Sequence, residues 1–185
     1  MFNQSKLQAI KAQIVSQAES LPGRDNSMDI TGVHAVNNQA MKRKLTQNEE
    51  EIVLGMGCFW GAERKLWNAP GVIVTSVGYA GGYTPNPTYE EVCTGATGHT
   101  EVVSVIFDRS KTDLNSILKV FWENHNPAQG MKQGNDIGTQ YRSAIYVTDE
   151  SQQEIVEKSL AAYQEGLVES GFGAITTECG RLETY

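Results

Sequence analysis

The sequence predicts an α/β (α+β) fold: a two-layer sandwich with a ferredoxin-like β-α-β-β-α-β core, its helices packed on one face of a mixed or antiparallel sheet. Three observations carry this. Short β-branched, apolar runs recur at residues 52–54, 72–79, 100–107 and 143–147. Helical patterns alternate with them, and the strongest places Leu114, Ile117, Leu118, Phe121 and Trp122 at i, i+3, i+4, i+7 and i+8. No internal repeat or low-complexity tract interrupts the series, which excludes solenoids and long linkers.

In chain order, residues 1–50 are expected to form an arm that wraps the domain. The arm has a weak helical pattern at Leu7, Ile10 and Ile14, then the turn-rich Leu21-Pro22-Gly23-Arg24-Asp25-Asn26. Residues 51–185 are expected to form one domain that carries the chemistry. The buried-strand run at 52–54 leads through Gly-Met-Gly into a helix with Phe59, Ala62, Leu66 and Trp67 on one side, and Asn68-Ala69-Pro70-Gly71 stops it. Two strands follow at 72–79 and 100–107, separated by a Gly- and Pro-rich excursion too long to be mere connection. After the helix of Leu114 and a polar loop at 125–141 come a strand at 143–147, a helix at about 149–169 and a short strand near 174–177.

Composition narrows the function. With 39% hydrophobic residues the chain can fill one core, and 15 Lys and Arg against 22 Asp and Glu leave no basic stripe for nucleic acid. The N-terminus lacks a charged start followed by an apolar block, and no apolar span is long enough for a bilayer, so a cytoplasmic location without membrane contact is expected; a monomer is expected as well. Three cysteines cannot make a disulfide framework. His34, His99, His125, Cys93 and Cys179 show no metal-ligand spacing, so no metal is expected.

Nine of the 18 glycines lie between Gly55 and Gly98, which concentrates sharp turns and close backbone approach around Cys58. Cys58 falls at a strand-to-helix junction in Gly55-Met56-Gly57-Cys58-Phe59-Trp60-Gly61, where free amides and the helix dipole favour a thiolate. Phe59 and Trp60 are adjacent on the helix and point about 100° apart, so at most one faces the core squarely and the other is free for a ligand. The Tyr79, Tyr83 and Tyr89 phenols lie in a Gly/Pro loop that can hold donors near a site. Glu101, at the mouth of a buried strand, is a candidate for a carboxyl kept protonated as a general acid. The loop at 133–142 offers Asp136, Tyr141 and Arg142 to a substrate.

Five segments, in this order and spacing, resemble peptide methionine sulfoxide reductase A: Gly57-Cys58-Phe59-Trp60-Gly61, Gly78-Tyr79-Ala80-Gly81-Gly82, Pro87-Thr88-Tyr89, Gly98-His99-Thr100-Glu101, and residues 134–143 around Asp136 and Tyr141. The arm with Leu21-Pro22-Gly23-Arg24 is similar to longer bacterial members. The resemblance implies that Cys58 is the nucleophile and that Phe59 and Trp60 take the substrate's S-methyl group. It gives Glu101, Tyr89 and Tyr141 the sulfoxide oxygen, and Asp136 an anchoring role. It implies a protein-repair enzyme active in oxidative stress, which reduces the S epimer of methionine sulfoxide, free or in proteins, without metal or organic cofactor. The product on the enzyme is a Cys58 sulfenic acid, recycled by thioredoxin or another thiol. Members usually continue into a tail with resolving cysteines, whereas this sequence ends at Tyr185; either the sequence stops short of that tail, or recycling uses Cys93, Cys179 or an external thiol.

Two other readings compete. A cysteine hydrolase or acyltransferase would need His99 or His125 beside the thiol as its base. A small ligand-binding domain would use the aromatics alone, with Cys58 incidental.

Overall fold

The computed structural model of the chain describes residues 11–30 and 32–185. Leu7 and Ile10 of the weak N-terminal helical pattern lie outside these residues, and Ile14 sits in irregular backbone before a 3-10 turn at Gln17–Glu19.

Strands β1 (Glu49–Met56), β2 (Val72–Ala80), β3 (Thr100–Asp108), β6 (Ser143–Val147) and β7 (Glu178–Arg181) build a five-stranded sheet in the order β2-β3-β1-β6-β7. β1 lies at its centre, antiparallel to both β3 and β6, and β2 is antiparallel to β3. That is the ferredoxin-like order expected from the alternation of patterns. Helices α1 (Phe59–Leu66), α3 (Leu114–Glu123) and α4 (Ser151–Glu169) pack against one face.

Period-2 alternation decides which side chains meet them. Ile52, Leu54 and Met56 of β1, Val103, Val105 and Phe107 of β3, and Ile145 and Val147 of β6 join Phe59, Ala62 and Leu66 of α1 in one core. The stripe of α3 is buried at all five of its apolar positions, and Asp113 caps the helix by accepting from the Ser116 amide at 2.7 Å. On the opposite face Val53, Val102, Ala144 and Tyr146 form a smaller cluster with Leu182. The Tyr185 ring lies against Gly78 there, where a Cβ would come within 2.5 Å of it, and its hydroxyl meets Ser76 at 2.6 Å.

The last strand is Glu178–Arg181, parallel to β6, and not 174–177. Ile175 instead packs on the helix-side core, while the Ile175 amide donates to Gln164 and the Thr176 amide to Pro127 O, so this β-branched run is extended but outside the ladder. The parallel β6–β7 pair makes the sheet mixed. The excursion between β2 and β3 also contains a short helix, α2 (Tyr89–Cys93), and the loop before β6 contains a hairpin of β4 (Lys132–Gln133) and β5 (Asp136–Ile137).

Candidate active site

Cys58 is the N-cap of α1, one residue beyond β1. Gly57 makes the turn at φ +85°, and a Cβ there would collide with the Gln133 side chain 2.6 Å away, so only glycine lets the β4–β5 hairpin close over the junction. Gln133 holds that hairpin to the loop by accepting from the Asn126 amide at 3.0 Å and donating to its carbonyl at 2.9 Å. Cys58 is left exposed at the start of the helix.

The adjacent aromatics part as their 100° offset requires. Phe59 is buried and packs on Tyr79 with ring centroids 5.8 Å apart, whereas Trp60 is 76% exposed. An indole so exposed beside a thiol stabilises no core and is available to a ligand.

Glu101 is 2% exposed, on the helix-facing side of β3 and opposite Tyr79 of β2. Its Oε2 accepts from the Phe59 amide at 3.0 Å, which ties the carboxyl to the first turn of the helix that Cys58 caps. Burial pushes the Glu101 carboxyl up; the Phe59 hydrogen bond pulls the other way, and the charge of Asp136 adds to the rise. Burial wins, so the group holds its proton beyond the ordinary carboxylate range.

The phenols converge on this acid. Tyr141 ends a 3-10 turn (Thr139–Tyr141) that the Thr100 hydroxyl pins by donating to Gln140 O at 2.9 Å, one residue before Glu101. Burial, then the charges of Glu101, Cys93 and Asp136, raise the Tyr141 phenol to about 12. Tyr89 opens α2 and is half-exposed; the Cys93 thiol one turn on raises its phenol most, with Glu101 and Cys58 contributing. Tyr79 is raised by burial and by Glu101. All three phenols therefore remain donors at neutral pH. Asp136 stands exposed on β5, near enough for its charge to act on both Glu101 and Tyr141.

Arg142, expected to face a substrate, does not. It is 2% exposed and stitches the site's supports together, donating to Glu178 at 2.8 Å, to Thr139 O at 2.9 Å and to Gly81 O at 3.2 Å. Cys93 is the neighbour that sequence reasoning undervalued. Its position four residues after Tyr89, one helical turn on, was the available signal.

Neither histidine serves as a base for Cys58. His125 donates from Nδ1 to Phe121 O and meets the Ser143 hydroxyl through Nε2, so both ring nitrogens are engaged. His99 is buried with Nε2 donating to Thr84 O at 2.8 Å. A cysteine hydrolase lacks its second member here. Among the described residues no group of three or more His, Cys, Asp or Glu side chains could hold a metal ion, and no helix is long and apolar enough to cross a membrane.

An exposed thiol at a helix start, faced by a buried carboxyl and phenols, has the makings of a thiol-dependent oxidoreductase. The comparisons give the same class. The family described as peptide methionine sulfoxide reductase matches residues 50–185. Peptide methionine sulfoxide reductase MsrA 1 of Synechocystis is 55% identical over 168 residues, covering 91% of this chain and 76% of the relative. The MsrA of Vibrio parahaemolyticus is 56% identical over 168 residues, covering 91% and 79%. The solved methionine sulfoxide reductase A of Corynebacterium diphtheriae superposes with a TM-score of 0.87 at 40% identity, covering 93% of this chain and 82% of that one. The chain belongs to the peptide methionine sulfoxide reductase family.

Proposed function

We propose that the protein reduces methionine sulfoxide, free or within oxidised proteins and at the S epimer, to methionine. The observation that carries the reading is the buried Glu101 carboxyl, its pKa raised by burial, bonded to the helix turn that follows Cys58. Sulfoxide oxygen leaves sulfur only when protonated, so the reaction needs an acid beside the nucleophile, whereas the histidine that a cysteine hydrolase uses as base and then acid has no counterpart in His99 or His125.

In this mechanism Cys58 Sγ attacks the sulfoxide sulfur while Glu101 protonates its oxygen and Tyr89 and Tyr141 donate hydrogen bonds to it. That attack forms an S–S bond; the S–O bond then breaks as the protonated oxygen moves to Cys58 Sγ, and the S–S bond breaks with it to release methionine. The substrate sulfur is reduced by two electrons and Cys58 is oxidised by two, to a sulfenic acid. Trp60 and Phe59 supply the apolar wall for the S-methyl group, and Asp136 anchors polar parts of the substrate from the hairpin.

Recycling falls to thioredoxin or another thiol, in a cytoplasmic repair role, and Cys179 is out of reach of Cys58. Cys179 pairs with Ile145, which pairs with Leu54, so it lies two strand spacings from β1 and beside a residue four positions short of Cys58. That is a separation on the order of 15 Å, against the roughly 4.4–6.8 Å between Cα atoms that a disulfide needs. Mxr1 of Saccharomyces cerevisiae, 19% identical and similar in fold, is solved in complex with Trx2, which makes a thioredoxin the first reductant to try.

The test is stopped-flow single-turnover reduction of a methionine sulfoxide peptide by the reduced protein and by Glu101→Gln. The reading expects one methionine per Cys58 and a slow variant. A Glu101→Gln protein as fast as the parent would remove the acid from the mechanism.

A further inference from the structure

The arm reaches the substrate-facing loop through a set of bonds that the mechanism above does not use. The Leu21 amide donates to Ala96 O at 3.0 Å, the Thr84 hydroxyl to Leu21 O at 2.9 Å, the Arg24 amide to Pro85 O at 3.1 Å, and Asn86 Nδ2 to Arg24 O at 2.8 Å. Gly23 passes this point at φ +67°, where a Cβ would fall 2.2 Å from Pro85 O. No other residue fits so close an approach.

From that seat the Arg24 guanidinium donates to Glu91 Oε2 at 2.9 Å. The same oxygen accepts from the Thr88 amide at 2.8 Å, while the Thr88 hydroxyl accepts from the Glu91 amide at 3.2 Å, a complete capping box. The first residue inside that cap is Tyr89. A five-residue helix has too little length to define its own direction. Its heading, and with it the direction of the Tyr89 phenol, depends on what holds the cap.

We propose that Arg24, seated by Gly23, is a positioning residue that acts through Glu91 and Thr88 to aim the Tyr89 hydroxyl at the reacting oxygen. The inference rests on the donor role given to Tyr89 above. The Arg24–Glu91 pair is largely exposed, at 41% and 31% of the side chains, so it contributes little to global stability. Its effect falls on geometry, where small displacements of a catalytic group cost rate steeply.

A double-mutant cycle on single-turnover rate separates the outcomes. Arg24→Ala is expected to slow reduction roughly tenfold with substrate affinity and melting temperature nearly unchanged, and Arg24→Lys to retain most of the rate. In a Tyr89→Phe background, Arg24→Ala should slow the reaction no further. If Tyr89→Phe is slow and Arg24→Ala multiplies that loss, Arg24 does not act through Tyr89 and the positioning role is overturned while the mechanism stands. An Arg24→Ala protein at full rate overturns it as well. If Tyr89→Phe is itself silent, the donor role of Tyr89 fails and the positioning role falls with it.

Discussion

The backbone amide of Phe59 and the carboxyl of Glu101 lie 3.0 Å apart, so the first free donor of the helix that follows Cys58 is spent on the acid and not on the thiol. Strand and helix are thereby locked at the point where acid and nucleophile must meet. Burial raises the carboxyl more than this hydrogen bond lowers it.

Glu101→Gln is predicted to separate stability from activity. Because the folded-state pKa lies above the unfolded one, the unfolded chain loses its proton first as pH rises. The group's contribution is intact at acid pH and lost as pH climbs from the ordinary carboxylate value through the raised one. A neutral amide avoids that loss, so the variant should melt higher than the parent at neutral pH. Its reduction rate should fall by about 10²- to 10⁴-fold with binding little changed. Melting curves against pH, with single-turnover kinetics, check both halves.

The two neighbouring aromatics should respond oppositely to truncation. Phe59→Ala empties a core position and is expected to cost about 3–5 kcal/mol of stability. Trp60→Ala should leave the melting temperature unchanged, since the ring is 76% exposed, and weaken methionine sulfoxide binding roughly tenfold, or about 1.4 kcal/mol. Denaturant titration and substrate-concentration dependence of the rate distinguish them.

Thiol labelling near neutral pH should rank Cys58 first and Cys179 last. Both thiols are exposed, but Cys58 stands at a helix start, whereas local desolvation and the carboxylates of Glu178 and Glu157 push the Cys179 thiol up to about 11. Peptide mapping after brief alkylation with a limiting reagent gives the order.

His125 predicts the acid limb of stability. Burial holds its ring neutral, with a pKa lowered to about 4. The unfolded chain takes up a proton first as pH falls below about 6.5, so stability is complete above that value and declines toward pH 4, by about 3 kcal/mol at most. Replacing His125 by Gln should flatten this slope in pH-dependent denaturant unfolding, whatever it does to the plateau.

Much of the fold was legible because its long elements obey one period each. The stripe of α3 and the run at 143–147 survive unchanged, and the alternation in β1 and β3 sorts the two faces correctly. β7 was misplaced because residues 174–177 have strand-like side chains, yet the ladder is decided by partners, which Ile175 and Thr176 find at Gln164 and Pro127. The helix of Tyr89 is too short to show a period. The place of Cys58 at a helix start was legible from its glycines, and the exposure of Trp60 from its adjacency to Phe59. Arg142 was misread because a polar residue in a polar loop gives no sign that it is buried among carbonyls. The arm's hold on the Tyr89 loop was equally hidden, since most of its bonds join backbone groups that every residue carries.

The claim on which the rest depends is that Cys58 takes the substrate's oxygen. Intact mass and peptide mapping of the reduced protein, after excess methionine sulfoxide peptide and without reductant, test it most directly. The account predicts one methionine formed per chain and one oxygen gained at Cys58, trappable by a sulfenic-acid reagent and absent from Cys58→Ser, which should form no methionine. Loss of two hydrogens with a mapped Cys58–Cys179 bridge would overturn only the exclusion of Cys179 from recycling; methionine formed by Cys58→Ser would contradict the central claim.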